Sequence, residues 1–476
     1  MIKRAQRRRV QFGLLLTTIA ATVTGLLAPQ AVALNQPKTP TGVAIKKQTY
    51  GVSEAAVAAA AQYPPSANFT ATWKYADALK VRQDVTNTTP KVDENFPIMT
   101  DKVWIWDTWP LTNINTEPIT YKGWKVIFSL VAPRDIFFGD RHWQARIGFF
   151  YSKTGTTGTW QYGGHLFPDG YSRGSREWAG TTIITGANDV SSFYTASGKD
   201  NGGINNTDSE QRLAMSKGKI HADANGVWFT GFRNHRIIAE PDGVNYQTLE
   251  QSSSGGIIYA FRDPFIFRNP ADNKVYALFE GNTGGVSGDY RCTERDLGTI
   301  PEGVTVPDDA RNFTGNIGLM EATNAAMTTW RLLPPLLSAN CVNQQTERPH
   351  LVFHDGMVYL FTISHMFTYA PGLTGPDGVY GFVGPSLRSD YKPMNGSSLV
   401  LGNPPEAPLQ QYSHEVLPNF MVQSFIDTVP TAAGGVRYGG TLSRTTQLTV
   451  DGSNSYFQRQ LAYGFIPATP YVPANP

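Results

Sequence analysis

A polar turn followed by a short run of aromatic and β-branched residues recurs along this chain. Gly123-Trp-Lys-Val-Ile-Phe-Ser-Leu-Val131 and Asn225-Gly-Val-Trp-Phe-Thr-Gly-Phe232 are two cases. Asp272-Asn-Lys-Val-Tyr-Ala-Leu-Phe279 and Asp355-Gly-Met-Val-Tyr-Leu-Phe361 nearly copy each other, and Gly434-Gly-Val-Arg-Tyr-Gly-Gly440 is a weaker copy. Asn-Gly and Asp-Gly supply the left-handed backbone of tight hairpins, and the runs have the length of strands. Hairpins spread over some 400 residues, with few helical patterns, predict an all-β fold of four-stranded antiparallel blades repeated around an axis. A pair of sandwich domains is the alternative. No Pro- or Ser-rich linker divides residues 70–470, which favours one domain.

The N-terminus is built differently. Lys3, Arg4, Arg7, Arg8 and Arg9 precede an apolar run from Phe12 to Leu27, then Ala31-Val32-Ala33. That is the layout of a secretory signal peptide over 1–33, with an uncleaved anchor as the alternative. The segment takes five of the 40 basic residues and none of the 38 acidic ones, so the remainder carries about −3. The basic start therefore gives no reason to expect a nucleic-acid partner. With no other long apolar stretch, no membrane association is expected after processing, and the protein reads as secreted. Residues 34–69 form a leader rich in Pro, Thr and Ala with a short helix over Ser53–Gln62, and 70–476 form the body. Only 16% of residues are charged and 12% are aromatic, a composition unlike that of a disordered chain. Export makes a disulfide between Cys292 and Cys341 chemically possible, with two free buried thiols as the alternative.

Three motifs hold candidate chemistry. Val103-Trp-Ile-Trp-Asp-Thr-Trp-Pro110 sets Asp107 among three indoles, whose faces suit sugar rings, although a core strand with a capping Asp reads the same. Phe261-Arg-Asp-Pro264 offers Asp263, where Pro264 predicts a turn or strand end. Gln344-Gln-Thr-Glu-Arg-Pro-His350 offers Glu347, with a solvated strand end as the bland reading. Carboxylates at strand ends suit retaining glycoside chemistry, which needs a nucleophile and an acid/base. No His-Glu-x-x-His motif, phosphate loop or Gly-x-Ser-x-Gly elbow is present.

Six stretches, in order, resemble glycoside hydrolase family 68, the levansucrases and their relatives. They are Val103–Pro110, Arg176-Glu-Trp-Ala-Gly180, Phe261–Pro264, Phe279-Glu-Gly-Asn-Thr-Gly284, Thr346-Glu-Arg-Pro349 and Tyr412-Ser-His414. The resemblance implies a single five-bladed β-propeller with a funnel-shaped central pocket. It implies sucrose as fructosyl donor, and water, sucrose or fructan as acceptor. By the same resemblance Asp107 is the nucleophile, Glu347 the general acid/base and Asp263 the transition-state stabiliser. Trp106 and Trp178 would wall the fructosyl pocket, and Arg262 would bind fructosyl hydroxyls. Arg348 would reach hydroxyls nearer the glucosyl side. Gln345, His365 and Tyr412 would shape the acceptor side, Tyr412 also tuning Glu347. An anionic Asp107 is expected to raise the pKa of Glu347.

Two departures matter. Many members carry Ser where this chain has Ala179, and that Ser supports the nucleophile. Members with a structural calcium carry an acidic residue where this chain has Gln344, so no metal and no cofactor are expected. Cys341 lies six residues before Glu347, as in relatives with a disulfide here, which favours the Cys292–Cys341 bridge. A levansucrase-like fructosyltransferase is thus the leading expectation. A hydrolytic β-fructofuranosidase on the same fold is the alternative, and a non-catalytic carbohydrate-binding propeller a remoter one. Related five-bladed invertases carry an Asn-Asp-Pro-Asn-Gly-type motif that is absent here.

Overall fold

Lys122-Gly123 and Asp355-Gly356 each place two residues of positive φ between antiparallel strands. Tyr121 pairs with Trp124 across the first turn, and His354 with Met357 across the second. Two consecutive left-handed residues in a two-residue loop match the right-handed twist of the flanking strands, so these turns set the hairpin register. All five apolar runs become strands: Trp124–Pro133, Val227–Ala239, Val275–Asn282, Met357–Ser364 and Val436–Leu442. The computed structural model describes residues 68–198, 209–252 and 257–473. The signal segment expected over 1–33 and the helix expected over Ser53–Gln62 lie outside the described residues.

Among the described residues the strands form four main sheets. The largest contains two antiparallel sets, begun by Val103–Thr112 and Arg176–Ile184. A short parallel ladder, Leu111 to Thr182 and Thr112 to Ile183, joins those two strands. The other three sheets begin with Phe261–Arg268, Glu347–His354 and Gln411–Val416. These five leading strands touch one another in order, and the last touches the first. Each set runs antiparallel away from its leading strand, and apolar side chains fill the layers between sets. The aromatic cluster of Trp73, Tyr369, Tyr380 and Phe382 is one such layer.

Both ends of the described chain are tied to sheets. Ala71–Thr72 runs parallel to Leu337 and Ser338, and Thr469–Pro470 runs parallel to Ile119 and Thr120. Cys292 and Cys341 form a disulfide with Cα atoms 6.0 Å apart, closing a separation of 49 residues.

Pro264 does not end its strand. Phe261–Arg268 continues through it, with a bulge between Arg262 and Phe265. A bulge interrupts the ladder, so a residue without an N–H costs no paired bond there.

Candidate active site

Each leading strand carries one extra residue. The register slips between Trp106 and Trp109, Trp178 and Gly180, Arg262 and Phe265, Glu347 and His350, and Tyr412 and Glu415. The last paired residue before each slip is Trp106, Trp178, Arg262, Glu347 or Tyr412. All five are sequence-expected site residues. The residue next in the chain is Asp107, Ala179, Asp263, Arg348 or Ser413. Four of those five adopt positive φ: 45° at Asp107, 62° at Asp263, 43° at Arg348 and 56° at Ser413. A non-glycine residue held there costs on the order of 1–3 kcal/mol, and such strain concentrates at functional sites. Equivalent bulges on a closed ring of strands thus bring distant sequence segments to one place.

Glu347 is the most heavily coordinated carboxylate in that place. Arg262 Nη2 donates to its Oε1 at 2.7 Å, and the Tyr412 hydroxyl donates to its Oε2. His365 Nε2 stands 3.9 Å from the same Oε2. Burial pushes the Glu347 pKa up, but Arg262, His365 and the Tyr412 hydrogen bond outweigh it, and the carboxyl is held below its usual range. This corrects the sequence expectation, in which Asp107 raises Glu347: the cations and the phenol win. Asp107 moves the other way. Burial raises its pKa, with Glu347 adding to the rise and Arg348, Ser413 and Arg141 opposing it. Asp263 is pushed up to about 7 by burial, then by the charges of Asp107 and Glu347, against Arg262 and Arg348. The three carboxylates thus act on one another electrostatically.

The other expected residues fall into place unevenly. His365 stacks on Tyr412 with ring centroids 3.6 Å apart, and Asp377 accepts its Nδ1 proton at 2.8 Å. Burial lowers the His365 pKa, but Asp377 and Glu347 overcome it and raise it. Trp106 is buried, its ring edge-on to His142 at 5.5 Å. Trp178 is half-buried and its Nε1 donates to the His142 carbonyl at 3.3 Å. Gln345 is buried beside Glu347, and its backbone carbonyl accepts from Ser364. Arg262 is committed to carboxylates, its Nε 2.8 Å from Glu280 Oε2.

Arg348 is tied to the Gln411–Val416 strand and to the backbone beside Asp107. Its guanidinium donates to Ser413, to the Thr108 carbonyl and to Glu415. Arg348, Ser413, Thr108 and Glu415 are all buried. Gln344 is spent on structure: its Oε1 accepts from the Thr314 N–H at 2.9 Å and its carbonyl accepts from Asn282.

Sequence reasoning missed several groups. Asp377 sits in Pro376-Asp-Gly378, which reads as a turn, and no local pattern marks it as the partner of a histidine twelve residues earlier. Glu280 lay inside the Phe279–Gly284 stretch without a role. Its Oε1 accepts from the Thr346 N–H at 3.1 Å, bracing the strand that presents Glu347. His142, Ser413 and Glu415 gave no signal beyond motif membership or none at all.

The comparisons with known proteins agree with this arrangement. The sequence model of the family described as Levansucrase/Invertase matches residues 63–467. A levansucrase of Zymomonas mobilis subsp. mobilis is 47% identical over 401 residues, covering 83% of this chain and 92% of that protein. An extracellular sucrase of the same organism is 43% identical over 415 residues, covering 86% and 98%. The crystal structure of levansucrase from Gluconacetobacter diazotrophicus superposes with a TM-score of 0.77 at 40% identity, covering 86% of this chain and 96% of that one. With the match running through all five leading strands, this chain belongs to glycoside hydrolase family 68, the levansucrase/invertase family.

Proposed function

We propose that the protein is a secreted, sucrose-dependent fructosyltransferase of the levansucrase type, acting by retaining double displacement. The observation that carries this reading is the meeting of Asp107, Asp263 and Glu347 at equivalent bulges, within one electrostatic field. The five antiparallel sets are the blades of a single propeller over residues 70–476, and the site lies in a funnel on its axis. Residues 1–33 are the export signal and 34–69 the leader. The likeness to proteins named levansucrase and extracellular sucrase supports sucrose as donor and export as destination.

In the first step an Asp107 oxygen bonds to the anomeric carbon of the fructosyl unit. The bond from that carbon to the glucosyl oxygen breaks, Glu347 passes its proton to that oxygen, and glucose leaves. Asp263 stays unbonded and offsets the positive charge that develops on the fructosyl ring. In the second step Glu347 takes a proton from an acceptor hydroxyl. The acceptor oxygen displaces Asp107, and the configuration at carbon is restored. Trp178 offers its half-exposed ring as a wall for the fructosyl unit. His365, Tyr412 and Gln345 border the side from which an acceptor reaches Glu347.

Water competes with sugars for the same intermediate, and the likeness to an extracellular sucrase favours hydrolysis as a second outcome. Barriers that differ by 1–2 kcal/mol (roughly tenfold in rate) decide between them. Free glucose and free fructose released from sucrose separate the two. Glucose in clear excess supports transfer, equal amounts support hydrolysis, and no glucose from folded protein overturns sucrose as donor.

A further inference from the structure

Phe367 is a large apolar side chain left 65% exposed, yet its backbone is firmly held. It lies in the single 3-10 turn Met366–Thr368, directly after His365. Both of its neighbours are tied down. The Met366 N–H donates to Asp377 Oδ1 at 2.6 Å. The Thr368 hydroxyl donates to Asn343 Oδ1 at 2.8 Å, and the Thr368 carbonyl accepts from the Gln344 N–H at 2.9 Å. Thr368, Asn343 and Gln344 are buried, so the turn is pinned to the segment that leads into Glu347.

The Phe367 ring lies nearly parallel to that of His365, with 15° between planes and 4.8 Å between centroids. Tyr412 lies nearly parallel to the same imidazole, at 13° and 3.6 Å. Two rings so close to one face would collide edge to edge, so they occupy opposite faces. Tyr412, His365 and Phe367 therefore form one stack. Its inner end donates to Glu347 through the Tyr412 hydroxyl, and His365 Nε2 stands 3.9 Å from the same carboxylate. Exposure rises along the stack: Tyr412 is buried, His365 half-buried and Phe367 exposed. With its inner face on His365, Phe367 turns its outer face to water.

A phenyl ring has no hydrogen bond to offer, and its flat face suits the apolar C–H face of a sugar. Glu347 meets the hydroxyl that attacks, so the acceptor sugar bearing that hydroxyl lies against Glu347 and His365. Phe367 stands beyond His365, where the next sugar of the same acceptor passes. We propose that Phe367 is the outer acceptor platform of this site, stacking the second sugar of an oligosaccharide acceptor and so favouring growth of an existing fructan over transfer to water. The inference rests on the reading of Glu347 as the acid/base of a fructosyltransferase.

The experiment separates the two claims. Sucrose labelled in its fructosyl unit is the donor, and one acceptor is added at a time: the monosaccharide xylose or the linear fructan tetrasaccharide nystose. Wild type is compared with Phe367→Ala, Phe367→Leu and Phe367→Trp, each checked by thermal melt. Alanine and leucine are expected to lower the share of label passed to nystose roughly threefold to tenfold, the worth of one lost stacking contact. The share passed to xylose, which is too short to reach Phe367, changes little. Tryptophan keeps a flat face and restores transfer to nystose. If Phe367 only props His365, alanine lowers transfer to both acceptors alike, and leucine, which keeps apolar bulk there, stays near wild type. That pattern, or wild-type transfer to nystose in both the alanine and leucine variants, would overturn the inference and leave the transferase reading in place. Label released by the wild-type protein only as free fructose, with either acceptor, would overturn the transferase reading and the inference with it.

Discussion

Arg262 bridges Glu347 and Glu280, with Nη2 2.7 Å from Glu347 Oε1 and Nε 2.8 Å from Glu280 Oε2. One buried cation therefore fixes Glu347, the proposed acid/base, and the residue that braces its strand. It also favours Glu347 as an anion, although the proposed first step needs Glu347 protonated. Asp107, which the proposed attack needs as an anion, has its pKa raised. Both directions oppose the proton arrangement that the proposed first step needs. This predicts a bell-shaped kcat/KM profile with its maximum on the acid side of neutrality, its limbs belonging to the coupled group. A plateau extending well above neutral pH would contradict that distribution.

Tyr412→Phe tests the tuning directly. The phenol donates to ionised Glu347 and lowers its pKa. Without it the Glu347 pKa rises, so the alkaline limb of the profile is expected to move to higher pH. An unmoved limb would mean that Tyr412 acts only through its stacking on His365.

Glu347→Gln keeps the size of the side chain and removes the proton. Loss of general acid–base catalysis predicts a fall in kcat of about 10²–10⁴-fold, with sucrose still bound. Glucose release at the wild-type rate would remove Glu347 from the mechanism.

Asp263→Asn is expected to trade activity for stability. The folded-state pKa of Asp263 is pushed up to about 7, above its unfolded value. Below the unfolded pKa the carboxyl is neutral in both states and costs nothing. As pH rises through the window between the two values the unfolded chain ionises it while the folded state keeps it neutral, and stability is lost until the folded pKa is passed. Asparagine removes that cost and tolerates the left-handed backbone of this position. The variant should melt higher than wild type at about pH 8, with the gap narrowing near pH 5, and should lose turnover. A constant gap at both pH values would contradict the assigned shift.

The Cys292–Cys341 bridge closes a long loop that ends six residues before Glu347. Reduction, or Cys292→Ser with Cys341→Ser, is expected to cost about 2–4 kcal/mol of stability in denaturant titration. Equal midpoints for the oxidised and reduced proteins would remove its structural role.

What the sequence made legible follows from how local each signal is. The Lys122-Gly123 and Asp355-Gly356 turns announce hairpins because two adjacent residues settle the backbone. Asp107, Asp263 and Glu347 stand out as candidates because they sit inside recognisable stretches. Their common geometry was not readable, since a one-residue bulge leaves no mark at the level of residue type. Pro264 shows this: it signals a break in backbone pairing, and the break is a bulge rather than a strand end. The direction of Arg348 and the pairing of Asp377 with His365 depend on contacts between segments far apart in packing or hidden in turns. The sign of the Glu347 shift needed the sum of Arg262, His365 and Tyr412 against burial, and no single motif contains that sum.

The central claim is a covalent fructosyl intermediate on Asp107. The most direct measurement is mass spectrometry of peptides from protein mixed with sucrose and quenched rapidly in acid. The account predicts a mass increase of one fructosyl residue on the peptide containing Asp107, and none in Asp107→Asn. An adduct on Asp263 or Glu347, or full turnover with inversion and no adduct on any peptide, would contradict it.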